Sequence, residues 1–99
     1  MENIETMVEQ LTKDLDIEFV QDIDNTFHGM KQINKFKLGI MLSQDDTDYI
    51  NIDSELIGKI NKFYFNTFTH SNYNEVLGTL NNIINNAKVL INSIENFTR

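Results

Sequence analysis

The sequence predicts an α+β domain. Helical spacing dominates both ends of the chain, a period of two occupies the middle, and the connections between the middle segments are short and polar. Ile4, Met7, Val8, Leu11 and Leu15 recur at helical intervals and define a first amphipathic helix over about residues 3–15. Glu5 and Glu9 lie on its other face, close to the end where the helix dipole favours anions. The period then shortens. Ile17, Phe19, Gln21 and Ile23 alternate, as do Phe36, Leu38, Ile40 and Leu42, and Ile50 and Ile52 continue the pattern. Three strands are expected, over about 17–23, 34–43 and 48–52. A connection from Asp24 to Met30 and the polar loop Ser43–Asp48 would join them as antiparallel neighbours. Gly39 marks a bulge or a close approach by another backbone.

Helical spacing returns after Asp53 or Ser54, either of which suits an N-cap, with Leu56, Ile57, Ile60, Phe63, Tyr64, Thr67 and Phe68 as its stripe. His70-Ser71-Asn72 is a break. Asn72 and Glu75 have the spacing of a capping box. A long final helix follows, with a stripe running from Tyr73 through Val76, Leu80, Ile84 and Ile91 to Phe97 and an Asn-rich opposite face. Because Asn is a poor helix former, packing must hold that helix. The expected architecture is one domain over residues 1–99: an N-terminal helix, a three-stranded antiparallel sheet and two C-terminal helices, the last one long.

Composition narrows the function. Cysteine is absent, so neither a disulfide framework nor a thiolate metal site can form. The opening Met1-Glu2-Asn3-Ile4-Glu5 is acidic, and no apolar run approaches the roughly 18 residues of a bilayer span, which points to the cytoplasm. Net charge is −7 and unevenly placed: thirteen carboxylates face four lysines in residues 1–55, whereas residues 56–99 have two carboxylates against three lysines and Arg99. Phosphate contacts supply most of the affinity of nucleic-acid binders, so this balance argues against direct nucleic-acid binding. Anionic membranes are disfavoured for the same reason, and a basic protein partner is favoured.

No catalytic constellation stands out, and a non-enzymatic role is expected. His28 and His70 read as exposed loop residues, and no nucleophile sits beside a base. Asp22-x-Asp24-x-Thr26 and Asp46-x-Asp48 have fragments of calcium-loop spacing, but Phe27 and Asn51 stand where the loop needs Gly. Neither metal nor cofactor is expected. The candidate partner-binding residues are Asp22, Asp24, Asp45, Asp46 and Asp48, in or beside two turns, together with Phe65, which falls off its helical stripe. The acidic side chains would form either a partner surface or a solvated, solubilising face. Phe65 would be either a second core layer or an exposed anchor.

The loop Asp45-Asp46-Thr47-Asp48, the segment Tyr49-Ile50-Asn51-Ile52 and the helix opening Asp53-Ser54-Glu55-Leu56-Ile57 give the layout a topological resemblance to small acidic phage anti-CRISPR proteins of the Cas9-inhibitor type. That resemblance implies carboxylates standing in for DNA phosphates on an Arg/Lys-lined groove of an effector nuclease in the host cytoplasm. The leading expectation is an acidic inhibitor of a nucleic-acid-binding protein. The alternatives are a structural module that forms a homodimer through residues 73–97, or a cytosolic immunity protein.

Overall fold

The computed structural model describes residues 3–97. Asn3 opens helix α1 (Ile4–Leu15), its side chain accepting from the backbone N–H of Glu5 at 2.7 Å, and Asp16 closes the helix in the left-handed region at φ 53°. The stripe read from the sequence is the buried face: Ile4, Met7, Val8, Leu11 and Leu15.

Six strands follow, twice the number expected: β1 (Phe19–Gln21), β2 (Thr26–Ile33), β3 (Phe36–Gln44), β4 (Ile50–Ile57), β5 (Lys62–Tyr64) and β6 (Phe68–His70). All pairings are antiparallel, in the order β1-β2-β3-β4, with β5 and β6 sharing the far edge of β4. β5 pairs with one end of β4 and β6 with the other, and the N–H of Phe65 donates to the carbonyl of Ser54 between them at 3.1 Å.

Three expectations are corrected here. First, residues 24–30 are not a connection, because most of them belong to β2, which turns into β3 through Asn34 and Lys35. Asn34 takes φ 53°, a conformation Asn tolerates well in tight turns. Second, the stripe from Leu56 to Phe68 is not a helix. Ile50, Ile52, Ser54 and Leu56 all point into the core along β4, so Asp53 and Ser54 are strand residues and not caps. Phe63 and Phe68 belong to the short strands β5 and β6. Third, Gly39 forms no bulge: it pairs in continuous register with Met30 and Glu55.

Among the described residues a single helix, α2 (Tyr73–Phe97), follows the sheet where two were expected. Its start carries the Asn72–Glu75 pairing expected, with the cap bond to the Glu75 N–H in place and the return bond made by the Asn72 side-chain amide instead of its backbone N–H. Glu75 N–H donates to Asn72 Oδ1 at 3.0 Å, and Asn72 Nδ2 donates to Glu75 Oε1 at 2.7 Å. Val76, Leu80, Ile83, Ile84, Ala87 and Ile91 are buried, so the stripe that suggested a dimer seam packs against the chain's own sheet. A homodimer through residues 73–97 would have to use the remaining face, where Val89 and Phe97 are exposed.

Both helices lie on one face of the sheet and share one core with Phe27, Leu38, Ile40, Leu42, Ile52 and Leu56. Gly29 lets Phe19 lie over β2, since a Cβ there would come within 2.6 Å of the ring. The other sheet face is uncovered, as antiparallel sheets allow. Among the described residues no helix is long and apolar enough to cross a membrane.

Candidate functional site

β2 decides where the carboxylates sit. In a three-stranded meander the two acidic turns would fall at opposite ends of the sheet. With β2 inserted, the turn at residues 22–25 and the loop at 45–49 emerge at the same end, because Thr26 pairs with Ser43. The N–H of Gln44 donates to the carbonyl of Asn25 at 3.0 Å and ties the two turns together.

All five aspartates there are exposed, and one of them, Asp45, holds the loop. Asp45 Oδ1 accepts from the Thr47 N–H at 2.8 Å and from the Thr47 hydroxyl, while Oδ2 accepts from Asn51 Nδ2 at 3.3 Å. The Thr47 hydroxyl and then its N–H hold the Asp45 carboxyl below its ordinary value. The backbone of the loop closes on the same residue, Asp48 N–H donating to Asp45 O at 3.1 Å. Asp22 lies 3.1 Å from His28 Nε2. Asp24, Asp46 and Asp48 are exposed, with Asp48 at φ 66°. Two apolar side chains stand among them that sequence reasoning missed: Ile23 is 67% exposed at the tip of one turn and Tyr49 is 47% exposed beside the other. The sequence reading placed Ile23 in the first strand, over about 17–23, but β1 ends at Gln21 and leaves Ile23 between two aspartates in the turn, where the core does not reach it.

Phe65 does not join this end. It lies between β5 and β6 on the outer edge of β4, partly buried against the core, and its neighbours Asn66, Phe68, Thr79 and Ile83 line a shallow hollow with it. Both histidines are also displaced from their expected loops. His28 is a strand residue on the uncovered face. His70 ends β6, where its ring stacks on Phe68 and its Nε2 lies 2.6 Å from Thr79 Oγ1, joining sheet to helix.

The uncovered face continues from the acidic end through His28. Register places Val20, His28, Met41 and Asp53 in one row, and Met30, Gly39, Glu55 and Tyr64 in the next. Gly39 carries no side chain and floors a groove of about 410 Å³ between these rows. Along β4 the uncovered face is polar: Thr67 donates to Asp53 at 2.6 Å, Thr69 to Asn51 at 2.9 Å, and Lys62 lies 3.9 Å from Glu55.

Lysines collect at the opposite end. Lys35 sits in the β2–β3 turn, Lys37 near the start of β3, Lys59 just after β4 and Lys62 at the start of β5. The length of β3 separates the two ends by about 27 Å at 3.4 Å per residue, more than three Debye lengths at physiological salt. The fields of the ends are therefore largely independent. Compared with known protein families, curated proteins and solved structures, the chain matches none.

Proposed function

We propose that this protein is a non-enzymatic inhibitor that binds a nucleic-acid-binding protein, laying its acidic end on the Arg/Lys-lined groove where nucleic acid would sit. The supporting observation is the convergence of Asp22, Asp24, Asp46 and Asp48 from two turns onto one end of the sheet. Closely spaced carboxylates on a rigid scaffold present Arg and Lys with the acceptor chemistry of a phosphate backbone. Asp45 serves this surface indirectly by fixing the loop that carries Asp46 and Asp48. Exposed Tyr49 and Ile23 supply apolar anchors, which charge complementarity alone lacks. A small acidic phage inhibitor of a CRISPR effector would be one member of this class, and a cytosolic immunity protein another. The element order behind the first likeness is not the order found, so the proposal stands on the acidic end.

The test is capture from a bacterial extract by the immobilised protein, with duplex DNA as competitor. The wild type should enrich nucleic-acid-binding proteins and release them to DNA. Replacing Asp22, Asp24, Asp46 and Asp48 with Asn, with Asp45 left in place, should reduce capture at least tenfold. Capture that survives this neutralisation, or that DNA does not compete, overturns the proposal.

A further inference from the structure

The basic end carries a hollow that the proposed function does not use. It measures about 400 Å³ and is lined by Phe36, Gly58, Ile60 and Ile94, with Lys35 and Lys59 beside them. Gly58 is required for its shape, since a Cβ there would come within 2.6 Å of the Phe36 ring. Ile60 is 89% exposed and stands at the hollow beside Phe36 and Ile94, so its apolar surface is open to a partner side chain. Glu95 also lines the hollow, with one carboxylate oxygen accepting from Asn34 Nδ2 at 2.9 Å. Lys35 and Lys59 at the hollow outweigh that carboxylate and the partial negative charge of the α2 C-terminus, while Lys62 of the same end is engaged by Glu55 at 3.9 Å.

The chemistry that fits is an apolar side chain flanked by carboxylates, and the molecule displays it at its other end. Asp22-Ile23-Asp24 protrudes from the β1–β2 turn, with Ile23 exposed between the two acids. We propose that the basic hollow receives the β1–β2 turn of a second copy, so that chains associate head to tail. Ile23 enters against Ile60, Phe36 and Ile94, while Asp22 and Asp24 face Lys35 and Lys59. The contact is heterologous and leaves a free acidic end and a free basic end on every dimer, so growth continues unless the rotation closes a ring. The net charge of −7 and the small contact keep the association weak, and salt weakens it further. The inference is independent of any foreign partner.

Sedimentation velocity of the full chain tests it. The weight-average sedimentation coefficient should rise as the wild type is concentrated from tens to several hundred micromolar, and the rise should vanish at high salt. Lys35→Gln/Lys59→Gln retains only the acidic end, and Asp22→Asn/Ile23→Ser/Asp24→Asn retains only the basic end. Each should be monomeric alone, and their mixture should form dimers and nothing larger, because each partner caps the other. Circular dichroism checks that these surface variants fold. A wild type monomeric throughout, or either variant associating by itself as the wild type does, overturns the inference. Asp46→Asn/Asp48→Asn should leave self-association in place while weakening capture of a nucleic-acid-binding protein, which separates the two proposals.

Discussion

Asp45 shows how one residue can serve a surface without belonging to it. Its carboxylate accepts from Thr47 twice and from Asn51, and these bonds favour the ionised form. A group whose folded pKa is depressed stabilises the fold above its ordinary value, here 3.8, and the contribution disappears as pH falls through the folded value. Acid should therefore loosen this loop in the pH region below 3.8. Thr47→Val removes the largest cause and should bring the Asp45 carboxyl back toward its ordinary value. A carbon-detected NMR titration reads this directly, and an Asp45 that titrates identically in both proteins would contradict the assignment.

At the level of elements, β4 is the strand that disguised itself. Its inward positions are Ile50, Ile52, Ser54 and Leu56, and the single polar residue breaks an otherwise regular alternation. Ser54 is 6% exposed and its hydroxyl oxygen has no hydrogen-bond partner. A buried hydroxyl left unsatisfied is destabilising, so removing it relieves a penalty and creates only a small void. Ser54→Ala should leave stability unchanged or raise it by up to about 1 kcal/mol in urea denaturation. A loss of that size instead would mean the hydroxyl is bonded, for instance through an ordered water.

For the whole molecule, charge separation is the property that matters. An elongated body, 48 Å along its longest axis, keeps five aspartates at one end of the sheet and four lysines at the other. Crowded like charges oppose folding in proportion to how poorly they are screened. Moderate salt should therefore raise the melting temperature of the wild type. It should do so less in the variant with Asp22, Asp24, Asp46 and Asp48 changed to Asn, which has lost most of the repulsion. Equal salt responses in differential scanning calorimetry would show that the acidic end is not electrostatically crowded.

Helix α1, the capping pair Asn72–Glu75, the full length of α2 and the α+β class could all be read from local periodicity and local hydrogen-bonding chemistry, because a helix writes its buried stripe into consecutive turns. β2 could not. Its inward positions are Phe27, Gly29, Lys31 and Ile33, and a glycine and a lysine erase the alternation that marks a strand. β5 and β6 are three residues each and exist only because β4 offers them an edge. The acidic residues were recognisable by type, but whether they stood together depended on the parity of the strands between them. One added strand reverses the direction of the chain, so pairing across the sheet, and not any property of the turns, brought the two sets of carboxylates to the same end.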